Sequence, residues 1–464
     1  MKELLQTSPS ILESVSTDFG RIFEATPLAY YAATDTPTLL ALVQYCNKHN
    51  IPIIPKGMSH SASGQSLCPK GVVIDMRQKN SILNIDFDGN HGTIHVEAGA
   101  SWESVVRACL VHGAAPEVLT DWQKLSVGGT LSTGGIGFMS YCKGIQADII
   151  ESLEVITGDG RLLHCSQKEY PDLFRLVKGG LGMYGIIVSA RLRIVKAPKK
   201  IHIQKSFISD TLIFEEVMNK VQNEMYYDCV HSFLIPNEIK IWKKHFGVEF
   251  SEQHKAYCLG LPSEGFGYFV EVVKYTYDLD SIEQVHQIDM DLSCTEVIDF
   301  IDFIMREPPL IKTEANKGPT AHPELAVFVP KLTFQDFMNY LLERHHSADM
   351  GEGPVLIIPM TSEIIQDSAF TCPQEDFYFI GILRNAFPNT QEHIEKLIAL
   401  NEDLYHYSLS LGAKRYPCDS LSFPNTSLEW KAHFGEARWQ FVQKGKQTYD
   451  KNNTLKSLLT LHQT

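Results

Sequence analysis

The sequence predicts an α+β protein with two domains. Its 464 residues exceed what one hydrophobic core usually organises, and 44% hydrophobic with 21% charged residues is ordinary for a globular protein. Before Lys196, β-branched segments typical of strands occur between apolar stretches with helical spacing. The polar, proline-bearing segment Lys196–Lys200 has the composition of a domain edge.

The first predicted elements lead to a loop. Thr36 and Pro37 predict the N-cap and the first position of a helix whose apolar residues continue at helical spacing to Cys46. Ile51–Ile54 predicts a short strand that runs directly into a glycine- and serine-rich loop. Further strands are predicted at Val72–Met76, Thr93–Ala98 and Ser152–Thr157, and an amphipathic helix is predicted at Trp102–Leu110.

The loop Pro55–Ser66 contains two glycines and four serines around His60. Glycine lets the backbone approach a ligand closely, and successive amides and hydroxyls form a concavity that suits a phosphate or pyrophosphate. His60 would then lie beside the group that the phosphate carries. The alternative is a histidine that faces solvent or is held structurally, which is common in loops.

A second glycine-rich segment, Thr120–Gly137, has five glycines in its last ten residues. This density predicts neither a helix nor a strand, but a backbone that lies flat against a large planar ligand. Asp121 opens the segment beside Trp122. An aspartate at such a position is a candidate for chemistry, with an Asx-turn or a cap as the structural alternative.

Both segments resemble flavoproteins of the vanillyl-alcohol oxidase/p-cresol methylhydroxylase (PCMH) type, and within them the cytokinin dehydrogenases. The family's Gly-x-Gly-His-Ser loop is similar to Gly57–Ser61, with Ser59 in place of the second glycine. Its Thr-Asp-Tyr and Thr-Val-Gly-Gly-Thr-Leu-Ser segments are similar to Thr120–Trp122 and Ser126–Ser132. Further similar segments are Asp172–Phe174, Gly179–Ile187, Gly353–Pro359, Glu375–Phe379, Lys414–Tyr416 and Trp430–Gly435.

The resemblance implies a PCMH-type FAD-binding domain formed by residues 1–197 and 416–464, with an α+β substrate-binding cap domain at 198–415. It implies FAD joined covalently to His60 through the flavin 8α-methyl group. A second covalent link is not expected, because the cysteine that makes it in some relatives aligns near Trp122. The residues expected to bind FAD are Lys56, Gly57, Met58, Ser59, His60, Ser61, Gln65, Asp121, Ser126, Gly129, Ser132, Ile136, Ile187 and Tyr416.

Two carboxylates are the expected catalytic residues. Isoalloxazine accepts a hydride at N5, so the protein must hold a C–H bond near that atom and take a proton from the adjacent N–H or O–H. Asp121 is the expected base, since desolvation would raise its pKa toward working pH. In the family this chemistry turns an N6-substituted adenine into an imine, which water splits into adenine and an aldehyde. Glu271 is expected to accept a hydrogen bond from the purine, with a solvent-facing strand residue as the alternative.

One departure from the family keeps other functions open. Glu324 stands where the family has tryptophan in the segment similar to His322–Pro330. A more polar pocket would suit an FAD oxidase acting on the CH–OH group of a sugar, lactone or alditol. A third possibility is a flavin-bearing binding protein without turnover. The presence of Asp121, the expected base, argues against it. The expected electron acceptor is dioxygen or a quinone; Gly135 leaves room for dioxygen but is equally explained by close backbone packing.

The segment Gly180–Gly185 matches the dinucleotide pattern G-x-G-x-x-G, but its context is wrong for a Rossmann turn. A Rossmann turn requires a helix directly after the glycines. Here Ile186–Val195 is alternating and β-branched, which predicts a strand. We therefore expect a bend that passes close to the flavin.

Composition excludes several partner classes. A net charge of −14 and a pI near 5.7 argue against non-specific binding to nucleic acid or to an anionic membrane. The ten cysteines have no zinc-site spacing, and we expect neither a disulfide framework nor a metal site. Met1–Pro9 lacks the apolar core of a signal peptide and no run approaches about 20 apolar residues, so we expect a cytoplasmic protein.

Overall fold

The fold is described from a computed structural model of the protein, over residues 2–247, 251–261, 265–277, 293–306, 319–351, 353–422 and 426–455. Strands and helices alternate along the chain, which confirms the α+β prediction. The helices are α1 (Pro9–Ser14), α2 (Thr36–Lys48), α3 (Trp102–Val111), α4 (Val127–Thr133), α5 (Ser140–Lys143), α6 (Pro171–Val177), α7 (Thr211–Glu224), α8 (Ile239–Phe246), α9 (Glu252–Gly260), α10 (Phe300–Ile304), α11 (Phe334–Arg344), α12 (Gln391–Ser410), α13 (Ser427–Phe434) and α14 (Glu436–Tyr449).

A small parallel sheet carries the first predicted loop. Its strands are β1 (Ala29–Ala32), β2 (Ile53–Lys56) and β3 (Val72–Asp75), in the order β1-β3-β2. The buried apolar side of α2 packs against this sheet, as the apolar spacing predicts. The predicted N-cap is wrong by one residue: Asp35 is the cap, because its carboxylate accepts a hydrogen bond from the Thr38 amide, and Thr36 is already helical.

A larger antiparallel sheet lies behind the second glycine-rich segment. The strand order is β4-β5-β9-β7-β8, and β6 pairs with β9. Its strands are β4 (Ile82–Phe87), β5 (His91–Glu97), β6 (Ala114–Pro116), β7 (Ile150–Thr157), β8 (Leu162–Ser166) and β9 (Gly185–Lys196). The strand predicted after Gly180–Gly185 is confirmed as β9, so the glycine pattern precedes a strand and not a Rossmann helix.

The prediction that the second glycine-rich segment avoids helix is wrong for its centre, which forms α4. The physical reason is packing. A Cβ on Gly128 would lie 2.8 Å from the Cβ of Ala98, so glycine is what lets this helix approach the sheet. The helix then ends at Gly134, whose φ of +106° only glycine adopts without strain.

The C-terminal half contains an antiparallel sheet that has, among the described residues, the order β13-β10-β12-β11-β15-β16-β14-β17. Helices α7 and α11 pack their buried apolar residues into the core beneath it. The strands are β10 (Lys200–Ile208), β11 (Cys229–Pro236), β12 (Phe266–Thr276), β13 (Cys294–Asp299), β14 (Leu325–Pro330), β15 (Val355–Met360), β16 (Phe377–Ile382) and β17 (Lys414–Arg415).

The last described segment contacts the N-terminal sheets. The Lys446 ammonium on α14 donates to the Met183 carbonyl oxygen at 3.0 Å. Leu455 forms a parallel bridge with Ile53 of β2. Such contacts are expected if residues 416–464 complete the FAD-binding domain. The domain boundaries at 197 and 416 stay a prediction.

Candidate active site

The two glycine-rich segments meet where β2 ends. Gly57 follows β2 directly, and a Cβ at this position would lie 2.1 Å from the Ser126 hydroxyl oxygen. Only glycine therefore permits the first loop to lie against the residue that precedes α4. This approach brings the His60 loop and the Asp121 segment to one cavity.

This first cavity has a volume of about 350 Å³ and is bordered by both loops, the bend before β9 and the C-terminal sheet. All but one of the residues predicted to bind FAD line this cavity. The exception is Lys56, whose buried ammonium donates to the Thr17 carbonyl oxygen at 2.9 Å. The others that line it are Gly57, Met58, Ser59, His60, Ser61, Gln65, Asp121, Ser126, Gly129, Ser132, Ile136, Ile187 and Tyr416.

The wall of the first cavity has the chemistry that a flavin dinucleotide requires. Serine hydroxyls and loop amides offer donors, while aliphatic and aromatic side chains cover the rest of the surface. The Trp122 Nε1 atom is buried and has no hydrogen-bond partner within the described ranges, so one wall donor is available to a ligand. The residues present therefore fit FAD.

His60 lies between two aromatic rings. The ring centroids of His60 and Phe19 are 4.1 Å apart, and those of His60 and Trp122 are 4.5 Å apart with the planes at 62°. These contacts restrict the rotation of the imidazole at the edge of the cavity. Nothing in the spacing of residues 19, 60 and 122 along the chain predicts this arrangement.

The departure at Ser59 has a conformational cost. Ser59 has φ of +61°, the left-handed region that favours glycine, which explains why the resembling family has glycine here. We expect Ser59→Val to lower the free energy of unfolding by about 1–2 kcal/mol relative to Ser59→Gly, because a β-branched residue is strained at this φ. Urea unfolding of the two variants measures the difference, and equal stabilities would contradict this account.

Asp121 stands between the first cavity and a second one. Asp121, Thr120 and Leu383 line both cavities. Asp121 is partly exposed. Burial raises the pKa of Asp121 to about 6, against the opposing effect of hydrogen bonds from backbone amides. A carboxyl group with this pKa is ionised at neutral pH and is basic enough to accept a proton.

The second cavity, of about 270 Å³, is lined by an ion pair between the buried carboxylate of Glu271 and the partly exposed guanidinium of Arg306. Glu271 on β12 is 2% exposed, so the solvent-facing alternative is wrong. Arg306 holds it in a two-point contact, with Nη2 to Oε1 at 2.7 Å and Nη1 to Oε2 at 3.1 Å. Burial alone would raise the pKa of Glu271, but the charge of Arg306 together with the hydrogen bonds from His231 and Arg306 outweighs burial, and the pKa is lowered.

His231 on β11 also contacts the Glu271 carboxylate. Its Nδ1 is 3.4 Å from Glu271 Oε1, and burial lowers the pKa of the imidazole to about 4. An ionised carboxylate only accepts hydrogen bonds, so the neutral His231 donates from Nδ1 and keeps Nε2 as an acceptor. His231 and Arg306 also line the second cavity, and sequence reasoning missed both because they lie on separate elements.

Glu324, the other departure from the family, lies at the first cavity and not at the second. It borders the first cavity near Tyr416 and Cys418, and its exposed fraction is 9%. Its backbone amide donates to the Ser420 hydroxyl oxygen at 3.0 Å and to the His322 carbonyl oxygen at 2.9 Å. A carboxylate at this position makes the wall of the first cavity more polar than a tryptophan would.

Comparison with known proteins identifies the family. A model described as FAD binding domain matches residues 27–166, and one described as cytokinin dehydrogenase 1, FAD and cytokinin binding, matches residues 204–457. The chain is 32% identical to cytokinin dehydrogenase 6 of Oryza sativa subsp. japonica, over 94% of this chain and 87% of the relative. The chain belongs to the cytokinin dehydrogenase family.

Other relatives align over similar lengths. Cytokinin dehydrogenase 1 of Arabidopsis thaliana is 29% identical over 95% of this chain and 79% of the relative. An uncharacterized oxidoreductase, ORF5 in the fasciation locus of Rhodococcoides fascians, is 27% identical over 97% of both chains.

Membership of the cytokinin dehydrogenase family makes the chain an FAD-dependent oxidoreductase with the two-domain PCMH-type fold. The third possibility of the sequence analysis, a flavin-bearing protein without turnover, is therefore excluded. Among the helices in the described ranges, none has the combination of length and hydropathy that crossing a lipid bilayer demands. Seven of the described cysteines are free thiols, namely Cys46, Cys109, Cys142, Cys165, Cys229, Cys372 and Cys418.

Proposed function

We propose that this member of the cytokinin dehydrogenase family oxidises the CH–NH bond of N6-isoprenoid adenines, with adenine and an aldehyde as products. The observation that carries the proposal is the position of Asp121, which lines both the cavity that fits FAD and the cavity that contains Glu271. A substrate in the second cavity would have its reactive bond beside Asp121. The match of 204–457 to a cytokinin-binding family model supports the purine substrate.

The first cavity would hold the cofactor. Hydroxyls and amides of the His60 loop and of the segment before α4 would bind its polar groups. Leu181 in the bend before β9, with Ile186 and Ile187 at the start of that strand, supplies apolar wall. When bound, FAD supplies a hydride acceptor. His60 would carry the covalent link, for which its position at the cavity edge between Phe19 and Trp122 is support.

Replacing His60 tests the covalent link. We expect His60→Ala to release all of its flavin into the supernatant on acid precipitation, whereas the unsubstituted protein keeps the flavin in the pellet, because the alanine has no nitrogen to form the bond. Flavin absorbance of the two fractions measures this. His112→Ala, at an exposed position after α3, is the matched control. Flavin that stays in the pellet of His60→Ala would contradict the assignment.

Asp121 would act as the base. Taking the proton from the substrate N–H while the hydride leaves the adjacent carbon prevents positive charge from building up on the nitrogen. The partly enclosed position of Asp121 limits competition from water. The electron acceptor that returns the flavin to its oxidised state is proposed to be dioxygen or a quinone.

The second cavity would hold the adenine. His231 Nε2 and the remaining lone pairs of the Glu271 carboxylate are acceptors at its wall, and Arg306 is held in place by Glu271. Purine N–H groups are donors, so the two sets of groups are complementary. Phe138, Phe233 and Phe269 line the same cavity and offer apolar contact to a planar ring.

A substrate panel tests the proposal against its alternative. We expect turnover of N6-isopentenyladenine with equimolar release of adenine, measured by chromatography, and no turnover of sugars or alditols. The CH–OH alternative is favoured by one observation, the carboxylate of Glu324 at the first cavity. Oxidation of an alditol or lactone, with isopentenyladenine unchanged, would replace our proposal with this alternative.

A further inference from the structure

A segment near the N-terminus holds the His60 loop from one side. We call residues 17–20 the N-terminal clamp. The Phe19 amide donates to the Ser59 carbonyl oxygen at 3.0 Å, and the Gly20 amide donates to the Ser61 carbonyl oxygen at 3.2 Å. These two bonds flank His60 in the sequence, so they fix the backbone on both sides of the histidine.

The Asp18 side chain adds a second set of contacts. Its Oδ2 accepts from the Gly64 amide at 2.7 Å and from the Ser61 hydroxyl at 3.1 Å. Asp18 is 4% exposed, and Lys56 places its ammonium on the neighbouring Thr17 carbonyl oxygen. This contact also explains why the Lys56 side chain points away from the first cavity.

The Phe19 ring holds the imidazole itself. One side of this ring contacts His60 at 4.1 Å, and the ring stacks with His322 at 3.9 Å with the planes at 13°. His322 is tied to the clamp, because its amide donates to the Gly20 carbonyl oxygen at 2.9 Å. Gly20 permits the close fit, since a Cβ there would lie 2.4 Å from the Ala62 carbonyl oxygen.

The loop has little structure of its own near His60. Residues 57–66 belong to no helix or strand, and Ser59 has the strained φ described above. Beyond His60 the loop has further contacts besides those of the clamp: Ser63 and Gln65 donate to the carbonyl oxygens of Asp419 and Pro417. The clamp is therefore what orders the stretch of the loop that contains the histidine.

We propose that the N-terminal clamp is a positioning element that holds His60 for attachment to the flavin; this inference rests on the proposed covalent link. In that step a ring nitrogen of His60 bonds to the 8α carbon. One hydrogen leaves the methyl group and one leaves the imidazole, and their two electrons finally reduce dioxygen to hydrogen peroxide. Asp18 and Phe19 form and break no bond in this step and act through the orientation of His60.

The test compares clamp variants by how fast they attach flavin. Asp18→Ala removes both carboxylate contacts, Asp18→Asn keeps the size of the side chain, and Phe19→Leu removes the ring. Each purified protein is incubated with FAD in air, and flavin that survives acid precipitation is followed over time beside total bound flavin. Asp35→Asn, at the exposed cap of α2, is the matched control.

We expect the clamp variants to bind flavin but to attach it about 10- to 100-fold more slowly, because a displaced nucleophile loses most of the advantage of proximity. Prolonged incubation should restore attachment, which a protein that only lost stability would not show. Attachment at the unsubstituted rate in Asp18→Asn and Phe19→Leu would overturn the clamp while leaving the covalent link intact. Failure of these variants to bind any flavin would also overturn it, and acid-labile flavin in the unsubstituted protein would overturn both proposals.

Discussion

Asp121→Asn is expected to slow the reduction of bound flavin by substrate by about 10²- to 10⁴-fold, the range that a general base contributes. The amide has nearly the same shape as the carboxylate but cannot take the proton. Stopped-flow absorbance under anaerobic conditions measures the reduction rate. Asp86→Asn, on the exposed side of β4, is the matched control. An unchanged rate in Asp121→Asn would refute the role of Asp121 as base.

The pH dependence of the same variant separates chemistry from folding. Because the pKa of Asp121 is raised to about 6, flavin reduction should fall as pH drops below that value in the unsubstituted protein. A raised pKa also means that the folded state holds the carboxyl proton more tightly than the unfolded state does. The ionised carboxylate therefore costs stability above pH 6, and Asp121→Asn should be more stable by up to about 2–3 kcal/mol at pH 7 but not at pH 4.

Arg306→Met should give the largest loss of stability among the variants proposed. It leaves the buried carboxylate of Glu271 without its cation. Removing one partner of a fully buried pair costs about 3–5 kcal/mol, and because Arg306 is partly exposed we expect a loss of about 2–4 kcal/mol. We also expect substrate binding to weaken, because the unpaired Glu271 then takes up a proton. The free energy of unfolding in urea and the KM for isopentenyladenine measure the two effects.

A second substitution identifies the cause of this loss. Arg306→Met combined with Glu271→Gln removes both charges and should recover much of the stability, though not the substrate affinity. The depressed pKa of Glu271 means that the ion pair stabilises the protein above the ordinary carboxyl pKa and loses its effect as pH falls below it. A single Arg306→Met variant as stable as the unsubstituted protein would contradict this account.

Local sequence signals predicted the elements whose pattern is periodic. The helix predicted at Trp102–Leu110 is observed as α3 (Trp102–Val111), and the strand after Gly185 is β9. The helix α4 was missed because glycine propensity argues against it, whereas its glycines exist to bring it against Ala98. Close packing between segments distant in the chain is not visible in the local sequence pattern.

The sequence predicted only part of the candidate site, because contacts between distant segments are not visible in local sequence. Motifs on contiguous loops identified His60 and Asp121, which the structure brings to one cavity. Contacts between distant segments had no sequence signal: Asp18 meets Ser61, and Arg306 meets Glu271, across gaps that periodicity does not bridge. The sequence also does not determine which side of a strand end a side chain takes: Lys56 was predicted to bind FAD, whereas its ammonium donates to the Thr17 carbonyl oxygen and Lys56 does not line the cavity.

The visible spectrum of the purified protein, recorded without oxygen before and after addition of N6-isopentenyladenine, is the most direct test of the proposed function. We expect a flavin spectrum whose oxidised bands bleach on addition of the purine and return when air is admitted. Flavin that stays oxidised with the purine, but bleaches with an alditol or a lactone, would contradict it.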